Sequence, residues 1–366
     1  METLKANIPL LRKTDVLVLG GSLSGIACAL SAKAHSLQVI LVEDKGFLGG
    51  ALTASWETAS FKWNELELGD ELYRLLNEKD NLREYLSLPE KLKIRLEEIC
   101  REKDIPLLYW CRPIDLIIEN NRVKGVIFAS EGGIFSIECS ILVDATPFAQ
   151  ATSIYLLTPR PFPYIESRGF LTLSERTSSP FPSSLLICSD SENEGGKYCR
   201  LLQLYDGTNS PTELSTRKGE FIKNLVVHFH PLATAPFSTI APLRYPPTYR
   251  TLYLSDALNG KSSRYPIAKG KGNVYAFNSE EKTIRKLESK EIEVSKEFFI
   301  SRQINNLLFT FGDKLPLRPG IAWMESLPLS WQVGKALGSL AALSLKLGLS
   351  PHDVKGTELL KELRPR

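Results

Sequence analysis

No stretch of this chain approaches the roughly 20 consecutive apolar residues that span a bilayer, so no membrane helix is expected. The N-terminal residues Met1 to Lys13 hold two apolar stretches too short for a secretory core, and no small-residue cleavage site follows. A cytoplasmic protein is the expectation. There is no basic block. The 45 Lys and Arg nearly balance 42 Asp and Glu, leaving a formal charge of +3. That gives no electrostatic case for nucleic acid or an anionic membrane as partner. None of the six cysteines forms a C-x-x-C pair, which argues against a dithiol centre, an iron–sulfur cluster and a zinc ribbon. Scattered cysteines in a cytosolic chain read as buried small hydrophobes. No internal repeat or low-complexity tract is seen, and nothing indicates an oligomeric state. At 366 residues the chain is long for a single core, and two lobes are expected.

What is present begins at Asp15-Val-Leu-Val-Leu19, a continuous apolar run ending in Gly20-Gly21-Ser22-Leu23-Ser24-Gly25. An alanine-rich segment from Ile26 to His35 has helical character. A second apolar run, Gln38 to Val42, closes on Glu43-Asp44. Strand, glycine turn, helix, strand and acid make one βαβ unit. A dinucleotide pyrophosphate needs a sharp bend, a close approach to the main chain and tight helix–strand packing at such a turn. Gly20 suits the bend and Gly25 the packing. The helix N-terminus then offers free N–H groups and a positive dipole end to the phosphates. Glu43 stands about 23 residues after Gly20, near the spacing of an acid that takes ribose hydroxyls. Ser22 occupies the place of the middle glycine; it is small, and its hydroxyl can donate to phosphate.

Further along, Gly46-Phe-Leu-Gly-Gly50 reads as a loop, and 68–77 and 90–103 as amphipathic helices, the second with Leu92, Ile94, Leu96 and Ile99 at helical spacing. Segments 106–110, 113–119, 122–129, 133–139 and 141–144 read as strands, with Asn120-Asn121 a hairpin turn. From Phe148 the composition shifts to dense proline with Ser and Thr, and short strand-like runs, for example 184–188, 221–229 and 249–254, predict a mostly β lobe. A strand over 305–311, closed by Gly312-Asp313, and a long helix over 328–347 restore α/β character; Ser350-Pro351 is expected to open a final helix. The fold expected is α/β, with a Rossmann-type parallel sheet in a discontinuous lobe of 1–147 and 302–366 and an inserted, mostly β lobe over 148–301.

These pieces occur in an order that resembles the FAD-dependent oxidoreductase family of the glutathione-reductase-like flavoproteins. The resemblance rests on 15–25, Val42-Glu43, Gly46 to Thr53, Arg122 to Val126, Val143-Asp-Ala-Thr146, Gly334-Lys-Ala-Leu-Gly338 and Gly348 to Pro351. It implies FAD as cofactor. It also implies roles at the cofactor for Gly20, Ser22, Leu23, Ser24, Gly25, Glu43, Asp44, Gly49, Gly50, Ala51, Thr53, Ala145, Thr146, Gly312, Asp313 and Leu329. In it, Glu43 holds the adenosine ribose and Asp313 a ribityl hydroxyl. Gly49 and Gly50 let the chain pass close to the cofactor, and the helix that holds Leu329 faces the flavin pyrimidine edge. Departures are Ser22, Pro147 after Ala145-Thr146, and a middle lobe that does not match.

The activity expected is hydride transfer between bound flavin and a small organic substrate. A flavin-binding protein without catalysis is the first alternative, and an NAD(P)-dependent dehydrogenase the second. The chain leaves the βα alternation for a hairpin-rich stretch, which favours FAD over NAD. No second glycine fingerprint exists, so electrons enter from a substrate, or from NAD(P)H in the substrate cleft. Catalytic candidates are few. His228 and His230 share a face if their segment is a strand, which suits acid–base work or half a metal site, but equally an ordinary polar face. No metal site is assigned. Trp56, near Thr53 and Ser55, stands to fence a substrate pocket or to pack in the core.

Overall fold

The computed structural model describes residues 7–54, 82–153, 168–175, 186–188, 198–205, 230–234, 246–278, 283–319 and 322–364. Strand β1 (Leu10–Leu19) feeds helix α1 (Leu23–Ala34) and returns as β2 (Val39–Val42), parallel to β1 with Val16 opposite Val39. Val16 to Leu19 are at most 1% exposed, because this strand is covered on both faces, as parallel sheets require. Helix α2 (Leu82–Glu102) leads to the short β3 (Leu107–Leu108), parallel to β2. A meander follows, β4 (Arg112–Glu119), β5 (Arg122–Ser130) and β6 (Gly133–Asp144). Asn120 and Asn121 turn its first hairpin with φ of 49° and 57°, the left-handed pair that a tight hairpin turn needs.

Two elements depart from the sequence reading. The segments 133–139 and 141–144 are one strand of 12 residues. Its first part pairs with β5, and its last residues pair with a strand from far along the chain, so it runs on past the meander. In α2, Leu92 and Leu96 are buried while Ile94 is 61% exposed, so the buried stripe is narrower than the apolar spacing predicts.

The middle of the chain forms a four-stranded antiparallel sheet from β7 (Arg168–Glu175), β8 (Leu186–Cys188), β9 (Tyr198–Tyr205) and β10 (His230–Thr234), in the order β10-β7-β9-β8. Then come β11 (Ala268–Gly270), β12 (Asn273–Asn278), β13 (Thr283–Glu288) and β14 (Ile292–Val294). Segment 249–254 is not a strand; an isolated bridge joins Thr248, just before it, to Ser301, another joins Tyr253 to Arg318, and Leu254 opens a short helix.

The chain re-enters the first sheet as β15 (Leu307–Phe309), which lies parallel to the end of β6 with Phe309 opposite Asp144. The sheet has seven strands, β3-β2-β1-β6-β5-β4 with β15 also on β6. Strands β16 (Lys314–Leu317) and β17 (Ala322–Glu325) join β12 and β13 in a second antiparallel sheet. Helix α3 (Leu327–Leu347) packs along α1 in the same direction. A methyl group on Gly334 would lie 2.2 Å from the Ser24 carbonyl oxygen, and one on Gly338 would lie 2.4 Å from that of Cys28. The two backbones therefore touch along a seam without side chains. The seam ends in hydroxyls, where Ser31 donates to the Lys335 carbonyl at 2.7 Å. The final helix, α4 (Gly356–Glu362), starts later than Ser350-Pro351, which instead form a turn with the Ser350 hydroxyl on Asp353. Among the described residues, no helix is long and apolar enough to cross a membrane.

Candidate functional site

The loops at the C-terminal ends of β1, β2, β6 and β15 meet at one place, and the candidate cofactor residues gather there. Gly20 has φ of +101°, and a Cβ on it would stand 2.7 Å from the Ala145 carbonyl carbon. Gly25 is as tight, with the Gly20 carbonyl oxygen 2.2 Å from where its Cβ would be. Both glycines are thus required by contact between the β1–α1 turn and the chain itself. Ser22 is the N-cap of α1. Its Oγ accepts the Gly25 N–H at 3.2 Å, donates to the Ala145 carbonyl at 3.0 Å and lies 3.1 Å from Ser24 Oγ. The serine in the middle-glycine position therefore ties the turn to Ala145, and its hydroxyl is committed to protein groups.

Glu43 points into the turn. Its Oε2 accepts the Gly21 N–H at 2.6 Å, and its Oε1 accepts the Lys45 N–H at 3.1 Å and meets Lys45 Nζ at 3.2 Å. It is buried, whereas Asp44 is exposed and pairs with Lys45 Nζ at 2.6 Å. Burial, with the Asp44 carboxylate beside it, pushes the Glu43 carboxyl up to about 7. The Gly46–Gly50 loop folds back over the same turn. Gly49 donates to the Gly21 carbonyl at 2.7 Å, and Thr53 Oγ1 donates to the Leu48 carbonyl at 2.6 Å. Gly50, with φ of +52°, faces Ser22 so closely that a Cβ would sit 3.2 Å from the Ser22 Cα. Ala51 opens a single helical turn, Ala51–Ala54.

From the other side come Ala145, Thr146 and the 310–313 turn. Asp144 is fully buried and accepts four hydrogen bonds, from the N–H and hydroxyl of both Thr146 and Thr152, at 2.5–2.9 Å. Burial raises its carboxyl above the usual range, and those donors oppose the shift. Phe311, Gly312 and Asp313 have φ of 61°, 55° and 70°, three left-handed residues in a row. Only Gly312 is forced to lack a side chain, since its Cβ would stand 2.6 Å from the Pro147 nitrogen. The turn delivers the Asp313 carboxylate to the start of α1. Oδ2 accepts the Leu23 N–H at 3.1 Å and Oδ1 the Ser24 N–H at 3.0 Å. Burial raises the Asp313 carboxyl, against the pull of those N–H groups.

Helix α3 begins beside this cluster. Leu329 is buried against Gly270. Ser330 Oγ and Trp331 Nε1, in the first turns of α3, are buried with no hydrogen-bond partner among the described residues.

The catalytic candidates fare differently. Trp56 and His228 lie outside the described residues, as does the strand expected over 221–229. His230 starts β10 opposite Glu175, and its side chain lies outside the description. Among the described residues no group of three His, Cys, Asp or Glu could hold a metal. Cys28, Cys100, Cys111 and Cys139 are buried, as expected of structural thiols. A polar cluster was not anticipated from sequence. Lys314, 2% exposed at its side chain, pairs with Glu325 at 2.7 Å, and Trp323 Nε1 donates to the same carboxylate oxygen at 2.8 Å. The Trp323 ring stacks on Tyr275 at 5.2 Å. No sequence motif links Lys314 to Glu325; they meet because β16 and β17 are an antiparallel pair in that register.

Residues 15–152 match the model of the family described as FAD dependent oxidoreductase. No curated protein matches the sequence. Among solved structures, the fold is similar to a geranylgeranyl bacteriochlorophyll reductase-like protein from Thermoplasma acidophilum. That match has 12% identity and a TM-score of 0.51, and covers 96% of this chain and 84% of the other. Looser likenesses, on which no argument rests, are a flavoprotein/dehydrogenase from Cytophaga hutchinsonii and p-nitrophenol 4-monooxygenase from Pseudomonas putida. The first has 12% identity and a TM-score of 0.46 over 96% of this chain and 82% of the other. The second has 11% identity and a TM-score of 0.45 over 96% and 83%. Over residues 15–152 the chain is thus similar to the FAD dependent oxidoreductase family, and that match points to FAD as the cofactor.

Proposed function

We propose that this chain holds FAD across the loop cluster at the C-terminal ends of its parallel strands and moves hydride between the bound flavin and a small organic substrate. The observation that carries the reading is the convergence of the Glu43 and Asp313 carboxylates on the turn between β1 and α1, at one edge of the sheet. This is the crevice where open α/β sheets take ligands. The residues fit the cofactor. Glu43 would hold the adenosine ribose, with Asp44 at its edge. The turn from Gly20 through Ser22, Leu23, Ser24 and Gly25 would face the pyrophosphate, with Gly49, Gly50, Ala51 and Thr53 opposite and Ala145 and Thr146 at the side. Asp313 uses one acceptor position on each oxygen for α1, leaving another on each for a ribityl hydroxyl. Gly312 gives that acid its approach. The start of α3, at Leu329, would favour negative charge on the flavin pyrimidine edge.

When bound, FAD supplies reversible hydride acceptance. The chain supplies binding, orientation and exclusion of water. Residues 1–147 with 302–366 would carry the cofactor and 148–301 would select the substrate, with His228, His230 and Trp56 as candidates near it. Electrons would enter from the substrate or from NAD(P)H at the flavin. The test is anaerobic photoreduction of the FAD-loaded protein, then air. Bleaching followed by recovery of the yellow colour is expected. A flavin that stays oxidised under illumination contradicts a redox role, and a folded protein that takes up no FAD contradicts the site.

A further inference from the structure

Trp110 is 57% exposed, while Trp323 and Trp331 are buried. A single exposed ring is ordinary on a protein surface. This one is held in an unusual way. Its φ is +55°, in the left-handed region that a bulky residue rarely occupies. The backbone around it is fixed to the segment 43–45 that follows β2. Glu43 donates its N–H to the Leu108 carbonyl at 2.8 Å, Trp110 donates to the Lys45 carbonyl at 3.2 Å, and Cys111 to the Glu43 carbonyl at 3.3 Å. The indole packs on Gly46, where an added Cβ would stand 2.6–2.8 Å from its Cζ2, Cε2 and Nε1 atoms. Tyr109 is committed elsewhere, its hydroxyl donating to Glu97 of α2 at 3.1 Å.

The place of this ring matches the order of groups in a dinucleotide. There the ribose stands between the phosphates and the base. Here the Glu43 carboxylate accepts the Gly21 N–H of the β1–α1 turn at 2.6 Å, while the Glu43 carbonyl accepts the Cys111 N–H on the other side. With the phosphates at the turn and the ribose on Glu43, the base continues away from the turn toward 108–111, where Trp110 stands. An indole offers a flat apolar surface on which a base can stack, and stacking removes that surface from water.

We propose that the adenine of the bound FAD stacks on the exposed side of Trp110, with Gly46 and the 43–45 segment holding the ring in place. The inference rests on the FAD reading above and adds to it the contact that holds the base, which neither Glu43 nor the glycine turn supplies. Every base has a π-face, so this ring contributes affinity for the adenosine half without selecting among bases.

The test is calorimetric titration of the full-length, cofactor-free protein with FAD, ADP and FMN. ADP carries the base without the flavin, and FMN the flavin without the base. Trp110→Ala should weaken FAD and ADP each by about tenfold, the size of a lost base–aromatic stack, and leave FMN unchanged. Trp110→Phe keeps a ring and should hold both within about threefold of the wild type. ADP should also quench indole emission in the wild type, and this quenching should be absent in Trp110→Phe. Circular dichroism checks that each variant is folded. Undiminished FAD and ADP affinity in folded Trp110→Ala overturns the proposal and leaves the FAD reading standing. An equal loss for FMN also overturns it, since the ring would then serve the flavin half. A wild-type protein that binds neither FAD nor ADP contradicts the FAD reading, and the proposal with it.

Discussion

Asp313 accepts the Ser24 N–H at 3.0 Å, although 289 residues separate them in the chain. With the Leu23 N–H on its other oxygen, this carboxylate closes the N-terminus of α1 and ties the last third of the chain to the first. Hydrogen bonds to charged groups are worth about 1.5–3 kcal/mol, and an anion at a helix start about 0.3–1 kcal/mol more. Asp313→Ala should therefore lower the unfolding free energy by about 2–3 kcal/mol, read from urea denaturation of the cofactor-free protein. A variant as stable as the wild type would mean that water replaces the carboxylate without loss.

Glu43 gives a pH dependence. Its folded carboxyl is raised to about 7 by burial, against an ordinary 4.5. A carboxyl raised on folding stabilises fully below its unfolded value, and that contribution is lost as pH rises to the folded one. Asp144 and Asp313, raised by burial, act in the same direction. The cofactor-free protein should be less stable at pH 8 than at pH 5, with Glu43 contributing on the order of 2 kcal/mol. Glu43→Gln should shrink the difference. Equal urea midpoints at the two pH values in the wild type would contradict the assignment.

Ser22 separates capping from cofactor binding. Its hydroxyl caps α1 and reaches Ala145, so Ser22→Ala should cost about 1–2 kcal/mol of stability and Ser22→Gly less. FAD affinity of Ser22→Gly should stay within about threefold, because a lost phosphate bond to this hydroxyl would cost about tenfold or more. A loss of that size in fluorescence titration would make the serine a phosphate ligand.

Two glycines of α3 should behave differently. A methyl group on Gly334 meets the Ser24 carbonyl oxygen at 2.2 Å, so Gly334→Ala must push α3 off α1, at about 1–3 kcal/mol or more. Gly348 ends the helix at φ of +66° with nothing within 4 Å of its added methyl. Gly348→Ala should carry only the left-handed backbone cost of about 1–2 kcal/mol. Thermal melts showing the reverse order would contradict the parallel α1–α3 seam.

The βαβ unit was legible because its signals are local: an apolar run, glycines at a forced turn, a helix and an acid within a few turns of chain. The long helix over 328–347 was legible for the same reason, with its small residues at close spacing. What escaped reading depends on partners distant in sequence. Strand β6 continues through Ser140 because β1 pairs with it from Ser136 to Asp144, and β15 joins its last residues. Ser22 looks like a damaged phosphate turn until Ala145 is seen beside it. Lys314, Trp323 and Glu325 become a cluster only in the register of β16 and β17.

The central claim is that FAD lies with its adenosine ribose at Glu43, and its most direct test is a pair of dissociation constants for Glu43→Gln, one for FAD and one for FMN. FMN lacks the adenosine half. Glu43→Gln should weaken FAD by about tenfold or more, as loss of a charged hydrogen-bond acceptor predicts, and leave FMN unchanged. Asp44→Asn, at an exposed carboxylate, should weaken FAD less. Undiminished FAD affinity in Glu43→Gln, or an equal loss for FMN, would place the adenosine elsewhere and contradict the account.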